Sequence, residues 1–435
     1  VRTRRIDNGG ASVLATEGDG MIMARGIRYA TAERFAAPQP VTADAPVIDA
    51  TRRGPACPQL PSRLEFVTGP VIAGLQTSER CQVLSVTAPA GADRLPVMVW
   101  FHGGAYVSGS GESAKYDPPA LVTEGQVVVV TVTYRLGVFG YLNLHDARTQ
   151  NLGLRDQICA LRWVRDNIAA FGGDPARVTI FGQSAGGDSV MSLMLCEEAS
   201  GLFNRAILHS APLGLRADRS ELTAAMRDAA TASLAGVPAP EATVAQLLTA
   251  QVAAAKAARR FGRLGLMPFA PIVGMAPLPS AEAIPERIAD AASRIEILAG
   301  YTRDDGRPFV AMDPRGRRLQ RLGPLGDLLT AAVGRNLTKR VFGGPTRELA
   351  DTWARAGGRS ATFRVEWAPP QAPLGAGHCI DLPLLLGAPG SWSDAPMLGP
   401  RPPIDDGPGR RMRALWSGFA RDGLDALGPT PLTIG

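Results

Sequence analysis

Six short apolar runs, each bounded by Gly, Pro or polar residues, constrain this chain more than any other feature. They are LPVMVWFHGG (95–104), QVVVVTVTYRLG (126–137), RVTIFG (177–182), NRAILHSA (204–211), RIEILAG (294–300) and SATFRVEWA (360–368). Such runs read as strands buried on both faces, which is the pattern of parallel sheets covered by helices. Between two of them, GLRDQICALRWVRDNIAAFG (153–172) places Leu154, Ile158, Leu161, Val164, Ile168 and Phe171 at three- and four-residue steps, then stops at Gly172 and Gly173. That spacing predicts an amphipathic helix with a glycine stop. Strand, helix and strand in repetition predict an α/β fold with a central, mostly parallel, twisted sheet flanked by helices. One domain is expected over 1–435, with a helical cap or flank at 212–290 whose alanine-rich stretch 220–260 is broken by GVPAP. Residues 306–358 carry many arginines and glycines with weak periodicity, and no element is assigned there.

Charge excludes more than it suggests. Lys and Arg number 46 against 40 acids, a net +6, yet Lys115, Lys256 and Lys339 are the only lysines. Arginine, alanine, glycine and proline enrichment fits the coding bias of a GC-rich bacterial genome. No basic block or aromatic-interleaved stripe appears, so no nucleic-acid partner is expected. No apolar stretch is long enough for a membrane span. The opening VRTRRIDNGG lacks the apolar core of a secretory signal, so a cytoplasmic location is expected unless a leader has been removed. Cys57, Cys81, Cys159, Cys196 and Cys379 form no CxxC pair, so neither a metal site nor a cofactor is expected.

The chemistry centres on RVTIFGQSAGGDSV (177–190), where a strand-like run meets Ser184 and a helix-like run follows. With 49 glycines in the chain a GxSxG match carries little alone, so the flanks decide. In an open parallel sheet reactive groups sit just beyond the carboxyl ends of strands. Gly182 and Gly186 allow a tight turn there, and Ser184 is the candidate nucleophile. A serine hydroxyl needs a base. Of four histidines, His102 sits in FHGG too near the candidate oxyanion loop, and His145 and His209 precede or closely follow the serine. His378, in a late glycine-rich loop, is the base by elimination and setting. In this fold class the acid falls between serine and histidine in chain order. ILAGYTRDDG offers Asp305, with Asp304 as the alternative. Backbone N–H groups of Gly104, Ala105 and Ala185 are the candidate oxyanion donors.

These stretches together resemble the type-B carboxylesterase family of α/β-hydrolases, with NLGLRDQICALRWVRDNIAAFGGDPARVTIFGQSAGG (151–187) the most specific and GAGHCIDLPLLLG (375–387) the last large one. The resemblance implies a Ser184, Asp305, His378 triad with Gly104, Ala105 and Ala185 as oxyanion donors. Three departures stand out: Asp305 where the family usually has Glu, Gln183 where Glu often precedes the serine, and a shortened stretch between Asp305 and His378. Cys57 and Cys81 match positions that often form a disulfide in secreted members, and no obligatory bridge is expected here.

The expected function is a serine carboxylic-ester hydrolase acting through an acyl-enzyme on a small or medium apolar ester. Phe101, Tyr106, Phe261, Met267 and Phe269 are candidates for pocket or core. The alternatives are a transacylase, thioesterase or lactone-processing enzyme using the same triad, and an inactive binding module. The expected partner is a small-molecule ester, and the expected state is monomer or homodimer.

Overall fold

The computed structural model describes residues 2–8, 11–41, 47–400, 406–429 and 431–435; Val1 and residues 9–10 of the opening stretch lie outside them. Twelve strands form one sheet: β1 (Arg2–Asn8), β2 (Ala11–Gly18), β3 (Met21–Arg28), β4 (Val47–Asp49), β5 (Val83–Pro89), β6 (Leu95–Phe101), β7 (Val128–Val132), β8 (Gly173–Gln183), β9 (Arg205–His209), β10 (Glu296–Thr302), β11 (Ser360–Val365) and β12 (Leu432–Ile434). Their order is β1-β2-β3-β5-β7-β6-β8-β9-β10-β11-β12, with β4 beside β2. From β7 to β12 every pairing is parallel, while β1, β2, β3 and β5 pair antiparallel and β5 meets β7 antiparallel. All six apolar runs are strands of the parallel part. The antiparallel edge was not anticipated.

The parallel strands bury both faces. In β6, Val97, Val99 and Phe101 enter one core while Met98 and Trp100 enter the other. β7 repeats the pattern with Val128, Val130 and Val132 against Val129. A period of two with both faces apolar forces helices onto both sides, since either bare face would expose a wall of Val and Ile.

Helix α1 (Leu152–Asn167), continued by a tight turn at Ile168–Phe171, buries the stripe read from the sequence and ends on Gly172 at φ +77°. Helix α2 (Ala185–Leu195) follows β8 directly and is buried along its whole length. Helices α3 (Ser220–Ser233) and α4 (Val244–Ala258) pack on each other, and α4 opens with a Thr243–Gln246 capping box. The stretch left unassigned holds α5 (Arg307–Met312), α6 (Pro314–Gln320), α7 (Pro324–Leu337) and α8 (Gly344–Arg355), with a wide turn at Thr338–Gly343 joining the last two. Helix α9 (Asp406–Asp422) covers the second core with Met412, Trp416, Phe419 and Ala420. The loops after β6, β8, β10 and β11 all open at one end of the sheet.

Candidate active site

The turn between β8 and α2 is built for close approach. Ser184 sits at φ +59° and ψ −124°, a conformation a side chain adopts only when its surroundings enforce it. Both flanking glycines are required: a Cβ on Gly182 would lie 2.4 Å from the Gly186 backbone, and one on Gly186 would lie 1.9 Å from the Phe101 carbonyl. Ser184 N–H donates to the His209 carbonyl at 2.9 Å, which extends the β8–β9 pairing and fixes the turn.

His378 lies in the loop between β11 and the short helix Leu382–Leu385, fully buried. Its Nδ1 is 2.6 Å from Asp305 Oδ1. The other oxygen of Asp305 accepts from Ser210 Oγ at 2.8 Å and from the Thr302 N–H at 2.9 Å, so this buried carboxylate is held by three donors. Asp304 faces elsewhere. Its Oδ2 accepts from Arg303 at 2.9 Å and from the Ala376 N–H at 3.1 Å, and its own N–H donates to the Ala376 carbonyl at 2.8 Å. Asp304 thereby staples the turn that carries Asp305 to the loop that carries His378.

With Nδ1–H given to Asp305, Nε2 of the imidazole holds the free lone pair. The group facing it is the Gln183 amide nitrogen, at 3.2 Å, which also donates to Cys379 Sγ at 3.5 Å. The imidazole therefore lies against the residue preceding Ser184, and among the described residues no hydrogen bond joins Ser184 to His378. Phe309 and Phe342 pack on the imidazole with ring centroids 5.0 Å and 5.3 Å away.

The loop after β6 supplies donors. Gly104, Ala105 and Tyr106 all have positive φ, at +117°, +54° and +60°. Two of these are not glycine, so the loop carries strain that its neighbours must hold. Tyr106 is anchored through its hydroxyl, which donates to Asp188 at 2.8 Å, and Asp188 is paired with Arg216 at 2.7 Å. Burial, with Asp188 next, pushes the Tyr106 phenol well above its ordinary range, so it stays a donor. The N–H groups of Gly104, Ala105 and Ala185 donate to no protein group among the described residues. Gly104 and Ala105 border the same cleft as Ser184.

The other histidines have different employment. Burial pushes His102 down to about 4, and its neutral ring bonds the Gly103 carbonyl at 2.8 Å and stacks on Tyr134 at 4.4 Å. His209 has both nitrogens engaged, by Asp381 at 2.8 Å and by the Trp416 indole N–H at 2.7 Å. His145 is exposed on a loop. Burial, then Asp381, pushes the Cys379 thiol well up, which keeps it protonated and a poor nucleophile. Cys57 and Cys81 are buried free thiols, with the Leu136 N–H donating to Cys57 Sγ at 3.3 Å.

The cleft at Ser184 has Leu215, Leu266, Met267, Phe309, Val341 and Phe342 among its apolar walls. Of the five aromatic and Met candidates from the sequence, Met267 lines it. Phe101, Tyr106 and Phe269 are core, and Phe261 packs against the core. The contacts of Phe309, Phe342 and Ser210 were not anticipated, because nothing in a sequence marks which aromatic or hydroxyl of a distant loop meets a histidine.

A profile of the carboxylesterase family matches residues 9–322. The chain belongs to the carboxylesterase family. It is 43% identical over 406 residues to the probable N-octanoylanthranilate hydrolase of Rhodococcus erythropolis, covering 92% of this chain and 88% of that one. It is 35% identical over 408 residues to the para-nitrobenzyl esterase of Bacillus subtilis, covering 86% and 81%. The crystal structure of the Geobacillus stearothermophilus carboxylesterase superposes with a TM-score of 0.79 at 31% identity, over 99% of this chain and 93% of that one. This carboxylesterase is accordingly an α/β-hydrolase that cleaves ester bonds. The profile match ends before His378, so that residue rests on the geometry above. Among the described residues, no helix of the carboxylesterase is long and apolar enough to cross a membrane.

Proposed function

We propose that Ser184, His378 and Asp305 form the catalytic triad, with the N–H groups of Gly104, Ala105 and Ala185 as the oxyanion hole. The observation that carries this is the buried Asp305–His378 pair lying against the serine-bearing turn at the floor of the cleft. Ser184 Oγ attacks the acyl carbonyl as His378 Nε2 takes its proton, and Asp305 holds the imidazolium that forms. The carbonyl oxygen, now negative, meets three unpaired backbone donors; losing one such donor typically costs about 2.7–4 kcal/mol. The imidazolium protonates the leaving alcohol, and water then frees the acid by the reverse sequence. For this cycle the Gln183 amide releases Nε2 to the serine. The reading fails if a fluorophosphonate probe labels Ser184→Ala as well as it labels the wild type.

For the substrate we propose a medium-chain or aromatic apolar acyl ester, because the cleft walls beside Ser184 are apolar. Hexanoyl to decanoyl p-nitrophenyl esters should give the highest kcat/KM; a steady fall from acetate onward would contradict this. Arg63 favours a second reading. It stands at the rim of the cleft, donates to the Leu266 carbonyl at 2.9 Å and has no ion-pair partner among the described residues. The remaining N–H groups of its guanidinium suit a carboxylate on the leaving group, as in the anthranilate named for the Rhodococcus relative. On this reading Arg63→Gln raises KM for a carboxyphenyl ester and leaves the neutral phenyl ester unchanged.

We read the chain as one hydrolase domain with 212–290 as its cap, since Pro212, Leu215, Leu266 and Met267 border the cleft. We propose a cytoplasmic setting, in which the adjacent buried thiols of Cys57 and Cys81 stay unbridged. We propose that one chain supplies every catalytic group, whether it acts as a monomer or as a homodimer.

A further inference from the structure

Helix α7 faces the wrong way for a helix that stabilises a core. Its buried positions are Gly326, Thr330 and Gly334, with Thr338 following at the same spacing, all small residues one turn apart. Outward and just before it, Leu322, Leu325, Leu328, Leu329 and Val333 keep between 40% and 62% of their surface in solvent. They are five of the nine large apolar side chains exposed among the described residues, gathered within one short stretch. Leu325, Leu328, Leu329 and Ala332 recur at three- and four-residue steps, so they share one face.

The charge around this face is equally uneven. Residues 307–340 hold eight cationic side chains against Asp313 and Asp327, so this segment alone carries an excess of six, equal to the net +6 of the whole chain. Arg315, Arg317, Arg318 and Arg321 are exposed on α6 and the turn before α7, and Arg335 and Lys339 are exposed at its other end. None of the eight is ion-paired among the described residues. An apolar helical face flanked by unpaired arginines matches the interfacial helices that lie in the headgroup region of anionic membranes.

We propose that α6 and α7 form a docking face for an anionic lipid bilayer surface. A second copy of the chain fits less well, because a two-fold contact through α7 would set this cationic segment against itself. The face also adjoins the cleft: Met312 and Leu337, at the ends of α5 and α7, line it. At the foot of α7, Thr338 Oγ1 accepts from the Gly306 N–H at 2.8 Å, next to Asp305. Docking would therefore turn the cleft mouth toward the bilayer. Resting on the triad proposed above, this gives a lipid-dissolved ester a path to Ser184 that avoids bulk water.

Vesicle flotation tests docking without any turnover, so its failure is distinct from failure of the triad. The chain should float with vesicles of phosphatidylcholine and phosphatidylglycerol, and about tenfold less with phosphatidylcholine alone or in high salt. The exposed-face variant L325S/L328S/L329S and the charge variant R317Q/R318Q/R321Q should each lose most of that binding. Both should hydrolyse soluble p-nitrophenyl acetate at the wild-type rate, which shows that they are folded. The proposal is overturned if the wild type does not float, floats equally on both vesicle types, or is matched by the leucine variant. It is also overturned if sedimentation shows a dimer that the leucine variant dissociates while flotation is absent.

Discussion

Helices α1 and α7 are close in length, 16 and 14 residues, and both carry leucines at helical spacing, yet they use them in opposite senses. In α1 the stripe of Leu154, Ile158, Leu161 and Val164 is buried against the sheet, and the polar side faces water. In α7 the inner face is Gly and Thr, and Leu325, Leu328 and Leu329 look outward. A stripe of apolar residues thus forecasts a helix and leaves open which medium it meets. Small inner residues bring α7 close to its neighbours: a Cβ on Gly306 would lie 2.3 Å from the Gly334 carbonyl. Helix α1 belongs to the scaffold that holds the site in place, and α7 belongs to the wall through which the site meets its surroundings.

That division can be broken by experiment, most sharply where scaffold meets chemistry. Ser184→Ala and His378→Ala should each lower kcat by up to about a million-fold, with the double variant little worse, because members of a triad act as a unit. Asp305→Asn should lower kcat roughly ten-thousandfold by misplacing the imidazole tautomer. Asp304→Asn, which loosens a staple between two loops, should lower it about fivefold, a loss of about one hydrogen bond. Reversal of those last two would mean that the acid is misassigned.

Stability measurements sharpen the comparison of the helices themselves. Leu161→Ala, on the buried stripe of α1, should cost about 2–5 kcal/mol in urea unfolding. His102 should give the acid side of the profile its slope. Burial holds its pKa at about 4 against an ordinary 6.5, so below pH 6.5 the unfolded chain binds this proton before the folded one does. Stability should therefore fall by about 3 kcal/mol as pH drops from 6.5 to 4 and then level off, as far as this group is concerned. His102→Gln should flatten that part of the curve. The smallest effect belongs to Leu328→Ala on the outer face of α7, which should change stability by less than about 0.5 kcal/mol. A loss as large as that of Leu161→Ala would show that α7 buries its leucines after all.

Legibility followed burial. The six parallel strands and α1 could be read because both faces of a covered sheet, and one face of its helix, must be apolar. Ser184 and Asp305 stand out as candidates because they follow strand ends, and His378 because it is the histidine left once His102, His145 and His209 are set aside. The antiparallel edge could not, since β1 to β3 are buried unevenly and their patterns mix polar with apolar residues. Helix α7 carries no legible inward period because the residues it buries are Gly326, Thr330 and Gly334, and α5 and α6 are too short, at 6 and 7 residues, to show one. The meeting of Gln183 with His378 was likewise invisible: 195 residues separate them, and the departure from Glu gave the type of change without its contact.

The central claim is that Ser184 becomes acylated during turnover. Rapid mixing of the wild type with excess p-nitrophenyl ester, acid quench and peptide mass spectrometry tests it directly. The account predicts an acyl adduct on the peptide bearing Ser184, absent from Ser184→Ala. An adduct on another residue, or full turnover by Ser184→Ala, would contradict it.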